Sequence, residues 1–215
     1  MMRNLLFTIA FISILALSAC QSTNTDKLPI LGSREPVTTE VNGETVTDTV
    51  YHSIPDFEFL NQDSLPITGK TFENSIYVAD FFFTSCPSIC PIMHRNLLEV
   101  YKKYKDNPEV MLLSHSIDTK YDTPSVLKSY AEKLGISGNQ WQFASGTRET
   151  IYGISPEYMV FTEENDQVAG GFEHQGWFIL VDKDKHIRGA YNGTDEKEVA
   201  KLMKDMDILL SEYEK

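Results

Sequence analysis

Positive charge is scarce in this chain of 215 residues: 19 Lys and Arg stand against 31 Asp and Glu, a formal net charge of −12. Such a surface lacks the electrostatic footprint that grips a phosphate backbone, which excludes nucleic-acid binding. It does not exclude a small cation. No internal repeat is visible, and 12 Gly and 9 Pro are ordinary numbers, so fibrous and low-complexity classes are excluded as well. The apolar run at residues 5–17 is too short to span a bilayer as a finished helix. Cysteine is nearly absent, with three in all: Cys20, Cys86 and Cys90. What is present, 41% hydrophobic residues over this length, suffices for one domain with a full core.

The N-terminal apolar run follows one early positive charge, Arg3, and ends in small residues, the layout of a secretory signal peptide. Its last four residues, Leu17-Ser18-Ala19-Cys20, resemble the lipobox of bacterial lipoproteins, whose cysteine is lipidated and becomes the mature N-terminus. The resemblance implies a signal peptide at 1–19, lipidation at Cys20, and a domain held on a bacterial membrane outside the cytoplasm, in the periplasm or at the cell exterior. Several acyl chains on one residue anchor stably without a transmembrane helix. The polar stretch up to residue 35, with its Ser, Thr, Asn and Pro, reads as a flexible tether from Cys20, leaving 36–215 as the domain.

With Cys20 set aside, Cys86 and Cys90 form an even pair in a compartment where disulfides persist. They sit in "FFFTSCPSICPIMHRN", four residues apart. A bridge here would close so small a loop that its entropic contribution to stability is small, which argues against a staple. If the segment is helical, the two Cα atoms lie roughly 6 Å apart on one face. That is inside the disulfide window of roughly 4.4–6.8 Å. It also lets two thiolates hold one soft ion, Cu(I) above all. Pro87 suits a first helical position, with Cys86 as N-cap. Pro91 instead biases Cys90 away from helix and allows the helix to begin at Pro91 itself.

Around this motif the pattern is α/β. Val and Thr flank Asn42-Gly43, the strongest short hairpin signal, and a short strand is expected near Phe57 to Leu60. "IYVADFFF" is a near-continuous apolar run, expected as a strand buried on both faces. Met93, Leu97, Val100, Tyr101 and Tyr104 then mark one face of a helix, which puts His94 on the opposite, exposed side. "VMLLSHSI" reads as a second buried strand with His115 facing the core. A helix opens at Thr123-Pro124, "WQFAS" is a strand and "TRETIYGI" a short helix. "GWFILVD" and "IRGAYNG" pair as a hairpin, and a last helix starts near Asp195. Cysteines at the strand-to-helix turn of the first βα unit resemble the thioredoxin fold, with a central mixed sheet and an added N-terminal hairpin.

"CPSICP" after an apolar strand, "SIDTKYDTPSVLKSYAEKLG", "SGTRE" and a late His before an apolar strand together resemble the Sco/SenC family. The resemblance runs from about Ile54 to Gly193. It implies a thioredoxin-like fold and copper, as Cu(I) or Cu(II), held by Cys86, Cys90 and His174. It further implies delivery of that copper to the copper-bearing subunit of cytochrome c oxidase. The alternative it carries is a thiol-disulfide oxidoreductase, with Cys86 and Cys90 redox-active, keeping the acceptor's cysteines reduced. Where the family commonly has Asp-His-Ser, this chain has Glu173-His174-Gln175, which keeps the negative charge one methylene further out. Gly170-Gly171 ahead of it reads as a mobile loop that carries the His towards the cysteines. Asp118 and Asp122 are expected to cap and order the loop after the second buried strand.

Overall fold

The structure, a computed structural model, describes residues 27–41, 43–165 and 167–214. Strands β1 (Arg34–Val41) and β2 (Glu44–Tyr51) form the expected hairpin, with Gly43 at φ 82° supplying the left-handed turn residue. Short strands β3 (Glu58–Leu60) and β4 (Pro66–Thr68) form a second antiparallel pair. The apolar run becomes β5 (Ile76–Phe82), buried at every position. Helix α1 (Cys90–Tyr104) leads to β6 (Val110–Ser116), α2 (Pro124–Lys133), β7 (Trp141–Ala144) and α3 (Arg148–Ile154). A small hairpin, β8 (Thr162–Glu164) and β9 (Phe172–His174), precedes β10 (Trp177–Val181), β11 (Ile187–Asn192) and the closing helix α4 (Glu196–Ser211).

The central sheet runs β11-β10-β5-β6-β7. Strands β5, β6 and β7 are parallel, while β10 is antiparallel to both β5 and β11. This is the expected mixed α/β architecture. The β5 side chains alternate as a strand covered on both faces must. Phe82 packs on His94 and Tyr130 of α1 and α2, and Phe81 packs on His115 and Tyr158 on the other side. The C-terminal ends of the three parallel strands share one edge, and the motif emerges there.

His115 faces the core, wholly buried and stacked on Phe81 with ring centroids 4.6 Å apart. Its Nδ1 lies 3.2 Å from the Asp80 carbonyl oxygen, which only accepts, so the neutral ring carries its proton there. Desolvation pulls its pKa down to about 4. The unfolded chain takes up this proton near pH 6.5 and the folded chain only near 4. The stability tied to neutral His115 is therefore complete above pH 6.5 and is lost as pH falls through about 4, some 3 kcal/mol in total. Urea midpoints measured from pH 7 to pH 4 should fall accordingly, and His115→Phe should flatten that part of the profile.

At the opposite edge of the sheet a buried cation fixes the chain's entry. Residues 27–31, within the stretch expected as tether, run against the domain. Arg188, only 6% exposed, donates to the Leu28 carbonyl at 2.6 Å, the Pro29 carbonyl at 3.2 Å, Asp182 at 3.0 Å and Glu212 at 2.8 Å. Leu28 N–H donates back to Glu212 at 2.8 Å, and Leu31 N–H to the Ile187 carbonyl at 2.8 Å. The Arg188 guanidinium has two carboxylate partners, Asp182 and Glu212, the condition under which it tolerates burial.

Candidate metal and thiol site

Strand β5 ends at Phe82 and the chain turns through Thr84 and Ser85, with the Cys86 N–H closing on the Phe83 carbonyl at 3.2 Å. A single carboxylate braces the turn. Asp122 accepts from Thr84 N–H at 2.9 Å, from the Thr84 hydroxyl at 2.5 Å and from the Ser116 hydroxyl at 2.5 Å. Burial pushes its pKa up, and these hydrogen bonds oppose that shift. Asp118 orders the same loop through the Lys120 and Tyr121 N–H groups at 3.3 and 3.0 Å. The expected loop-ordering role of both aspartates is therefore seen, and Asp122 adds a link to the cysteine turn.

Helix α1 starts at Cys90, with Ile89 as N-cap and Pro91 in the first turn. Cys86 accordingly lies ahead of the helix and is not its N-cap. A proline lacks a donor, and only in the first turn of a helix is that donor dispensable; Pro91 takes that place. Cys86 and Cys90 are buried thiols, 7% and 1% exposed. The Cys86 Sγ is 3.6 Å from the Ser88 hydroxyl. A side-chain hydrogen bond with Cys86, reinforced by burial, holds the Cys90 thiol well above its ordinary range. The two sulfurs thus form one unit at the strand-to-helix turn.

The β8–β9 hairpin closes over this unit. A cavity of about 250 Å³ lies between Cys86, Ser88 and Ile89 on one wall and Val168, Phe172 and Glu173 on the other. Phe172 and Phe83 pack with ring centroids 5.0 Å apart. Gly170, at φ 93°, lies so close that an added Cβ would stand 2.8 Å from Phe83 Cζ and 3.1 Å from Pro87 Cδ. Only glycine allows that approach. On the far side of β9, a Cβ on Gly176 would stand 3.3 Å from Ile89 Cδ1 and 3.5 Å from Met93 Sδ. The backbone of His174, the last residue of β9 and paired with Thr162, is therefore bracketed by contacts to the cysteine turn. Asn165 Nδ2 donates to Glu173 at 3.2 Å across the hairpin.

His94 corrects the reading from sequence. It is wholly buried, not exposed, with Nε2 3.0 Å from Asp80 Oδ2 and Nδ1 2.8 Å from the Tyr130 hydroxyl. Ser114 donates to the other Asp80 oxygen at 2.5 Å and itself accepts from Trp141 Nε1 at 2.9 Å. The signal was Asp80 inside "IYVADFFF": a carboxylate on a strand buried on both faces requires a partner, and the helix that crosses the strand must supply it. His94 is one helical turn beyond Cys90, and the Asp80 charge contributes to raising the Cys90 thiol. Met93 is buried in the core, as expected.

A mixed sheet with a dithiol at its first strand-to-helix turn defines a thioredoxin-like protein with an inserted hairpin over the thiols. The family model of SCO1/SenC matches residues 46–208, and the chain belongs to that family. The SCO1 protein homolog of Bacillus subtilis (strain 168) is 29% identical over 170 residues, 76% of this chain and 86% of that protein. BsSco, a member of the Sco family of cytochrome c oxidase assembly proteins in which a disulfide switch was identified, is 28% identical. Its TM-score is 0.65 over 74% of this chain and 94% of that one. Copper-bound ScoI of Bradyrhizobium japonicum shares the fold, with a TM-score of 0.59 at 23% identity over 70% and 97% of the two chains. Among the described residues no helix is long and apolar enough to cross a membrane. Cys20 and the signal segment lie outside the described residues.

Proposed function

We propose that this protein is a copper metallochaperone, anchored through lipidated Cys20 outside the cytoplasm, which delivers copper to the dinuclear centre of cytochrome c oxidase. Cys86, Cys90 and His174 hold the cargo. The observation that carries the reading is the pair of buried thiols at one strand-to-helix turn, facing the hairpin whose last residue is His174. Two sulfurs and an imidazole are the donor set a soft ion prefers, and this set fits Cu(I). Cys90 is the more deeply buried of the two, and Asp122 holds the turn that presents Cys86 to the cavity. Membership of the SCO1/SenC family supports the same reading.

A second reading rests on the contact between the thiols. They are placed to pass two electrons and two protons to a disulfide on the acceptor, becoming a Cys86-to-Cys90 disulfide themselves. A deletion strain separates the two. Under the chaperone reading its cytochrome c oxidase activity collapses when copper is limiting and returns when copper is added. Under the reductant reading activity returns with a membrane-permeant thiol and not with copper. Full oxidase activity in the deletion strain at limiting copper would contradict both.

A further inference from the structure

The entry of the chain into the domain, fixed by Arg188, sets how the domain stands on its membrane; this deepens the anchored reading above and rests on it. Leu31 bridges to Ile187, the first residue of β11, and Val181 at the end of β10 pairs with Tyr77 near the start of β5. The chain therefore enters at the N-terminal end of β5. Cys86 follows the C-terminal end of the same strand. Seven residues of strand at about 3.3 Å each separate the two edges by about 20 Å.

The segment available to span from lipid to domain is short. Between Cys20 and Lys27 there are only residues 21–26, and the seven steps of about 3.3–3.6 Å from Cys20 to Lys27 reach about 23–25 Å when fully stretched. The next residues are not available, because Arg188, Glu212 and Ile187 hold Leu28, Pro29 and Leu31 to the domain. For the cysteine edge to rest on lipid, Lys27 would have to stand a full strand length above the surface. That requires the six residues to be drawn out to most of their full extension and to give up most of their conformational freedom. Lys183 and Lys185 at the entry edge are paired with Glu109 and with Asp56, which tempers any pull of these two lysines on anionic lipid.

We infer that the domain stands on the bilayer by the edge where β10 turns into β11, with the edge bearing Cys86 and Cys90 directed away from the lipid. Its partner is then a protein whose acceptor site projects from the same membrane face by a comparable height, and not one buried at the bilayer surface.

The test uses the full lipidated protein in lipid nanodiscs carrying gadolinium-chelating headgroups, read by amide relaxation in NMR. Enhancement at residues 183–185 and at Tyr213 should be roughly tenfold or more above that at Ser85, Ile92 and Tyr121, given a sixth-power distance dependence and about 20 Å between the edges. Equal enhancement at the two edges, or a larger one at the cysteine edge, would overturn the orientation. Inserting about twelve Gly-Ser residues between Asp26 and Lys27 should shrink the contrast towards unity. A contrast that survives the insertion would overturn tether length as its cause. If the wild-type protein fails to travel with the discs, as Cys20→Ala should, the anchored reading itself fails, an outcome distinct from a disc-bound protein with the wrong orientation.

Discussion

Oxidising Cys86 and Cys90 to a disulfide is expected to abolish Cu(I) binding, a loss of at least about a thousandfold in affinity, or about 4 kcal/mol. The thiolate is the metal ligand, and a disulfide sulfur has lost that charge. Only His174 would then remain, and a lone imidazole does not retain Cu(I) against a competing chelator. The oxidation joins two thiols that flank one short turn, Cys86 ahead of helix α1 and Cys90 at its start. Cys86→Ser and Cys90→Ser should each lose a comparable amount, because a hydroxyl is a hard and poor donor for Cu(I). A chelator competition assay on reduced, oxidised and serine forms reads all four values. Retention of Cu(I) by the oxidised protein would contradict the assignment of the sulfurs.

Asp80→Ala is expected to cost about 3–5 kcal/mol of stability, because removing one member of a buried pair strands the others. His94 would lose its Nε2 partner 3.0 Å away, and the Ser114 hydroxyl would lose an acceptor at 2.5 Å, both in the buried core. The Asp80→Leu/His94→Leu double variant should recover only the part of the loss owed to a stranded His94, because the Ser114 and Tyr130 hydroxyls still lose these partners. Urea unfolding of the three forms measures this. A single variant within about 1 kcal/mol of wild type would show that the pair is not what orders the core under Cys90.

The sheet was legible because its strands carry their signal locally. "IYVADFFF" and "VMLLSHSI" are largely apolar, and both became central strands buried on two faces. The Asn42-Gly43 hairpin and the Thr123-Pro124 helix start were legible through turn and cap chemistry, which depends on neighbours in sequence. His94 was not legible from its helix, because its burial is dictated by Asp80, fourteen residues away on another element. Nor was the docking of residues 27–31, whose partners Arg188 and Glu212 lie near the other end of the chain. Cys86 and Cys90 stood out by scarcity and spacing alone. Their exact relation to the helix needed the competition between Pro87 and Pro91 to be decided in three dimensions.

The central claim, that a soft cargo is held by two sulfurs and a distant imidazole, is tested most directly by Cu(I) competition titration of the reduced protein beside His174→Ala. The account predicts one equivalent bound by the wild type and binding at least about tenfold weaker in the variant, with the urea midpoint unchanged. Failure of the reduced protein to bind one equivalent, or equal affinity in the two proteins, would contradict it.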